Sequence, residues 1–211
     1  MIRANVTVTG KITKSAQIRT DKNGKPYLSF VVTLVLQDAK TKQKSVDIVV
    51  TDVNGTQNDL SRYVEKKRAE VKGELRIKKK GEDFVFYLGA TEISMKDVSG
   101  IDNLSGQMEF IGHLGSKGAE EWKDKNGKPF AAFSARSTEK INDDTYVDTW
   151  VDFIKFPSKD KEQESEALIP DWLVPKSKVR IKGDLQVKSY NDKLRFSSRV
   201  VNCSPYVPSQ Q

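Results

Sequence analysis

The sequence predicts an all-β chain built as two five-stranded barrels in tandem. Three observations predict it. The hexapeptide Asp-Lys-Asn-Gly-Lys-Pro stands at residues 21–26 and again, unchanged, at 124–129. Further landmarks recur in the same order on both sides of it. Each half also reads as three strands, a short helix and two more strands.

Self-similarity at one long spacing fixes an architecture before any local detail does. Upstream of the hexapeptide, Val6-Thr-Val-Thr-Gly10-Lys-Ile12 matches Met108-Glu-Phe-Ile-Gly112-His-Leu114. Downstream, Val46-Asp-Ile-Val49 matches Val151-Asp-Phe-Ile154, and Val71-Lys-Gly-Glu-Leu75 matches Ile181-Lys-Gly-Asp-Leu185. The offset drifts from 102 to 110 residues, as loop insertions require. One domain of about 100 residues, duplicated, accounts for the pattern.

Residues 6–12 alternate apolar and polar side chains and read as the first strand. A connector follows, then Asn23-Gly24, a strong hairpin signal because both residues tolerate positive φ. Residues 27–36, aromatic and β-branched, read as the second strand, and 45–53 as the third. Residues 58–67 read as a short helix capped by Asp59, with Leu60, Tyr63 and Val64 on one face. Residues 70–79 and 84–93 are the fourth and fifth strands, joined at Gly81-Glu82-Asp83. An OB-fold barrel has this order. Gly10 and Gly73 fall inside strands, where glycine permits a bulge or a sharp barrel bend.

The second half repeats the order, with Gly112 and Gly183 inside strands. Its third strand is expected at 146–156, followed by a polar insertion at 157–166. An apolar segment ends in Trp172-Leu173, kept short by Pro170 and Pro175. Residues 178–189 and 193–203 close the barrel around an Asn191-Asp192 turn. The boundaries expected are 1–95 for the first barrel, 96–106 for a linker, 107–205 for the second barrel and 206–211 for a short tail.

Composition narrows the function. The 211 residues are 36% hydrophobic and 31% charged, with a formal net charge of +7. That balance points toward polyanions. It is unevenly shared: residues 1–100 carry 19 Lys+Arg against 12 Asp+Glu, and residues 101–211 carry 17 of each. No apolar run is long enough to span a membrane, and the N-terminus has no signal-peptide core. A single cysteine, Cys203, cannot form an internal disulfide, so a reducing cytoplasmic location is expected.

Gly10-Lys-Ile-Thr-Lys, Asn23-Gly-Lys-Pro, Leu28-Ser-Phe, Val46-Asp-Ile-Val-Val and Val71-Lys-Gly-Glu-Leu, in that order, resemble bacterial single-stranded-DNA-binding proteins. The second half carries the same series, ending in Ile181-Lys-Gly-Asp-Leu-Gln-Val-Lys-Ser-Tyr190. The ordered set, present twice, resembles the tandem two-barrel members of that family. Sequence-tolerant single-strand binding needs aromatic faces for the bases and a basic groove for the backbone. The resemblance implies stacking positions held here by Trp150, Phe156 and Tyr190. The first barrel has Ser45, Thr51 and Lys80 at those positions. Core packing is an alternative for Phe156, and Tyr27 and Phe130 fit either role. Phe30, Phe133, Tyr63 and Trp172 read as core.

Charge marks the rest of the expected surface. Arg76, Lys78, Lys79 and Lys80 crowd one strand end of the first barrel, and Lys40, Lys42 and Lys44 crowd the preceding hairpin. In an OB-fold these loops frame the ligand groove. In the second barrel Lys188, Lys193 and Arg195 surround Tyr190. Lys66-Lys67-Arg68 reads as a solvated helix end.

An enzyme is not expected. The only histidine, His113, lies in a predicted strand without partners for a metal site or a catalytic triad. There is no phosphate-binding glycine loop, and no cofactor is expected. Asp47 and Asp152 read as outward-facing strand residues. The expected partner is single-stranded DNA, with RNA also open. The family generally presents four barrels per functional unit, so the resemblance implies a homodimer. Many relatives end in an acidic tail read by partner proteins. This chain ends Tyr206-Val-Pro-Ser-Gln-Gln211, which puts such recruitment in doubt. The remaining alternative is an accessory or scaffold protein of recombination, plasmid transfer or primosome assembly.

Overall fold

The computed structural model describes residues 2–36, 44–142, 144–157 and 167–207. The chain divides into two compact units. One is Ile2–Gly106 with Val187–Arg195, and the other is Gln107–Gln186 with the chain from Phe196 onward.

The first barrel comprises β1 (Ile2–Thr20), β2 (Pro26–Leu36), β3 (Lys44–Asp52), β4 (Arg68–Lys80) and β5 (Asp83–Ser94). They pair in the order β1-β2-β3-β5-β4-β1. Every pairing is antiparallel except β3 with β5, which is parallel. The second barrel repeats that order with β6 (Asn103–Leu114), β8 (Pro129–Asn142), β9 (Thr145–Lys155), β11 (Lys193–Pro205) and β10 (Lys178–Tyr190). Here too the β9–β11 pair is parallel. Each half is therefore a closed five-stranded OB barrel. Among the described residues no helix is long and apolar enough to cross a membrane.

Alternation produces both cores. Val46, Ile48 and Val50 of β3 point inward, and Val151 and Phe153 of β9 do so at the matching places. Aromatic pairs fill the space. Phe30 stacks on Tyr63 with ring centroids 5.0 Å apart, and Phe133 stacks on Phe153 at 5.3 Å. Such pairs add about 0.5–1.5 kcal/mol beyond the area they bury. Phe30, Phe133 and Tyr63 are core as expected, whereas Trp172, also read as core, is half-buried.

The strand glycines mark close approach of backbones. A Cβ on Gly73 would lie 2.0 Å from the Gly89 carbonyl oxygen, and one on Gly183 would lie 2.3 Å from that of Arg199. β4 also shifts register against β5 between Lys72 and Gly73. The irregularity expected at a strand glycine is present at Gly73, and the close backbone approach recurs at Gly183.

Four local expectations need correction. The connector after Ile12 is strand: β1 runs to Thr20 through two register shifts and pairs Gln17–Thr20 with β2. Its polar run hides a two-stranded ribbon that needs no buried face. The second barrel has an unexpected short strand there, β7 (Glu120–Lys123), against β8.

The hairpin turn also differs. Gly24 and Gly127 alone take positive φ, at 80° and 77°. The aspartate of the repeat does the rest. Asp21 Oδ1 accepts from the Asn23 and Lys25 amides at 2.8 Å each, and Asp124 Oδ1 accepts from Asn126 and Lys128 at 2.8 and 2.9 Å. That side-chain turn explains why aspartate opens both copies.

The helix expected at 58–67 reduces to one 3-10 turn, Gln57–Asp59. The chain beyond it gives its backbone groups to β1. Ala16 N donates to Tyr63 O at 2.8 Å, Lys66 N to Ile12 O at 3.0 Å, and Ile12 N to Lys67 O at 2.8 Å. A helix would need those groups for itself. The second barrel makes the same connection, with Lys176 N donating to Leu114 O and Leu114 N to Ser177 O. Lys66 and Lys176 both take positive φ, at 73° and 68°. Among the described residues no helix replaces the one expected in the second barrel; residues 158–166 of the polar insertion lie outside them.

The stretch read as a linker is bonded into the first unit. Arg68 Nη2 donates to Asp102 Oδ1 at 2.7 Å, Arg68 Nε to Ser99 O at 2.7 Å, and Val35 N to Asp102 Oδ2 at 2.8 Å.

Candidate nucleic-acid interface

Strand β9 has two faces. Thr149, Val151 and Phe153 are buried, while Asp148, Trp150, Asp152 and Ile154 alternate outward. Trp150 is 49% exposed. Directly opposite it on β8 is Arg136. The Arg136 guanidinium is held by Asp148, with Nη1 2.7 Å from Oδ2, and Thr138 Oγ1 donates to the other carboxylate oxygen at 2.6 Å. A cation is thus fixed beside the indole. Gly115 lies at the edge of the ring: a Cβ there would make an ordinary 3.4 Å contact with Trp150 Cζ3.

Phe156, just past β9, keeps 37% of its surface exposed. Its ring lies 5.8 Å from Phe130 and 5.0 Å from the Arg199 guanidinium. Phe130 is half-buried, so it shares this outer face. Arg199 comes from β11, where it lies opposite Ile154. Trp150, Phe156, Arg136 and Arg199 therefore occupy one outward surface of β8, β9 and β11. Such a surface can present ring faces to bases and guanidinium groups to phosphates.

The β10–β11 hairpin carries Lys188, Tyr190, Lys193 and Arg195, all exposed, with Tyr190 at 45%. Asn191 and Asp192 both adopt left-handed φ, 51° and 60°, as a two-residue hairpin turn requires. This tip, Val187–Arg195, belongs to the same unit as the first barrel.

On the first barrel the matching positions carry no aromatic ring: Ser45 is exposed, Thr51 donates to Leu88 O at 3.4 Å, and Lys80 ends β4. Arg76, Lys78, Lys79 and Lys80 follow each other along the end of β4. Arg76 is bonded to Glu74, Nε to Oε1, at 2.6 Å. Lys44 opens β3, and Lys40 and Lys42 lie outside the described residues. Asp47 and Asp152 face outward in their separate barrels, each accepting a 2.6 Å hydrogen bond, from Thr33 and from Ser134.

Alternation alone could have found several further residues. Tyr87 is 42% exposed between buried Phe86 and Leu88, directly opposite Arg76. Arg199 and Arg136 sit between buried neighbours in the same way. Trp122, 54% exposed, was hidden because β7 itself has no apolar pattern.

The titrations that shift belong to the first barrel's scaffold. The Asp59 carboxyl is lowered, chiefly by the Thr56 backbone amide, and the Lys72 ammonium is raised by its bond to Glu92. Burial raises the Tyr63 phenol. Among the described residues no three His, Cys, Asp or Glu side chains gather as a metal site.

No family model matches the chain, and no curated protein matches it. Among solved structures, the wild-type single-stranded DNA binding protein of Thermus aquaticus aligns over 99% of this chain and 96% of its own, at 14% identity and a TM-score of 0.43. The S. cerevisiae mitochondrial protein Rim1 aligns over 49% of this chain and 96% of its own, at 14% identity and a TM-score of 0.36. The Plasmodium falciparum protein solved with single-stranded DNA aligns over 48% of this chain and 94% of its own, at 18% identity and a TM-score of 0.36.

Proposed function

We propose that this chain binds single-stranded DNA without strong sequence preference, in replication, recombination or repair, and performs no chemistry on it. The observation that carries this reading is the outer face of β8 and β9. Two large aromatic rings remain exposed there, and each has an arginine beside it. Trp150, Ile154 and Phe156 are exposed in succession along one face, and apolar side chains gathered in this way mark an interaction surface. Bases offer π-faces whatever their identity, and each stacked base contributes about 1–3 kcal/mol.

Tyr190, Lys188, Lys193 and Arg195 offer the same kinds of group on the β10–β11 hairpin. In the first barrel, Arg76, Lys78, Lys79 and Lys80, with Lys40, Lys42 and Lys44, steer the sugar-phosphate backbone by charge. RNA would meet the same rings and cations. A competition titration between oligo-dT and oligo-U of equal length measures which of the two the chain prefers.

One observation favours a second reading for the first barrel alone. Its cations Arg76, Lys72 and Arg68 are each bonded to a carboxylate. A barrel with three of its cations ion-paired and no ring at the three stacking positions suits protein contacts, as in an accessory or scaffold protein. Neutralising Lys78, Lys79 and Lys80 distinguishes them: a first barrel that contacts the strand loses part of the salt slope of oligo-dT binding, and one given over to protein contacts leaves the slope unchanged.

A further inference from the structure

The β7–β8 hairpin carries an exposed tryptophan that the proposed binding face does not use. Trp122 stands on β7 directly opposite Phe130, and directly opposite residues of an antiparallel pair share a face with Cβ atoms about 4.5–5.5 Å apart. Phe130 in turn lies 5.8 Å from Phe156, and the Arg199 guanidinium lies 5.0 Å from the same Phe156 ring. The three rings and the guanidinium form a row across β7, β8, β9 and β11. Trp122 is 54% exposed, the largest apolar side chain left outward on a strand of only four residues. All four residues of β7 are exposed, so the ring is not part of the barrel core.

We propose that Trp122 is a further base-stacking residue, and that the single strand continues from Trp150 and Phe156 across the sheet onto the β7–β8 hairpin. The proposal rests on the single-strand binding proposed above. Continuity decides the occupant. A strand stacked on Phe156 meets Phe130 and then Trp122 as the next rings in the row. Charge sets the character of the contact. Glu120 lies two residues from Trp122 on the same face, opposite Ala132, while Lys123 follows it at the turn. The acidic neighbour disfavours a phosphate there, so the ring contributes through base stacking, with little dependence on salt.

The test uses the full chain. In one protein Trp150 and Trp172 are replaced by phenylalanine, leaving Trp122 as the only indole. Oligo-dT should quench its fluorescence saturably. In the otherwise unchanged chain, Trp122→Ala should weaken oligo-dT binding about five- to hundredfold, with the salt slope preserved and Trp122→Phe restoring most of the affinity. Unaltered affinity in Trp122→Ala, or an indole that stays unquenched while the oligonucleotide binds, overturns the proposal and leaves the binding face of β8 and β9 standing. A parent chain that does not bind oligo-dT overturns both. Circular dichroism of each variant keeps a folding defect separate from these outcomes.

Discussion

At Trp150 two local choices converge: strand alternation turns the indole outward, and Asp148 fixes Arg136 beside it. Trp150→Ala should therefore weaken oligo-dT binding by about 1–3 kcal/mol while leaving the fold intact. Tyr190→Ala should cost a similar amount. Titration calorimetry on both variants checks this, and negligible losses in both would remove the aromatic face from the account. Phe156 differs because its ring also packs on Phe130. Phe156→Ala should lower the thermal midpoint as well as the affinity, whereas Trp150→Ala should lower affinity alone. Of these residues, Trp150 was legible from its place between apolar strand positions. Arg199 was legible as an outward strand residue by the same alternation, but its place beside Phe156 was not, because that depends on the parallel pairing of β11 with β9.

At the scale of elements, the repeated glycines carry the barrel. Gly183 sits where a Cβ would meet the Arg199 backbone, and Gly73 is its counterpart against Gly89. Gly183→Ala and Gly73→Ala should each destabilise by about 1–3 kcal/mol, because backbone and not a flexible side chain stands in the way. Urea unfolding measures this. Gly183→Ala should also weaken oligo-dT binding, since the strand it displaces carries Arg199. Wild-type stability in both variants would contradict the close approach. The hexapeptide makes a further element-scale prediction: Asp124→Ala removes the acceptor for two turn amides and should cost about 1 kcal/mol. The strand order and the glycines were visible in the sequence because both halves repeat them. The extension of β1 and the strand β7 were not, because ribbon strands with no buried face show no alternation. The helix at 58–67 failed because its apolar spacing arises from Tyr63 entering the core, while its backbone bonds to β1.

For the whole molecule, charge and aromatics divide between the halves. The first hundred residues hold the net charge of +7 and one exposed ring, Tyr87, while Trp150, Phe156 and Tyr190 all lie in the second half. If the lysines at the end of β4 contact phosphates, neutralising Lys78, Lys79 and Lys80 together should lower the slope of log K against log salt by about 2, at roughly 0.7 per contact. An unchanged slope would mean that this charge is solvated surface. Two barrels per chain also suit a homodimer, which would bring four barrels into one functional unit. Two-fold pairing of like surfaces is the commonest closed assembly. Light scattering at micromolar concentration should give twice the 23.8 kDa of one chain, and a mass of one chain with and without oligo-dT would exclude the dimer.

The central claim is that bases stack on the outer face of the second barrel. The direct measurement is a tryptophan-fluorescence titration of a chain in which Trp122 and Trp172 are replaced by phenylalanine, so that Trp150 reports alone. Saturable quenching by oligo-dT, with no comparable quenching by duplex DNA at the same salt, is the predicted result. A folded protein whose Trp150 emission stays constant as oligo-dT saturates, or which binds no oligo-dT at all, would contradict it.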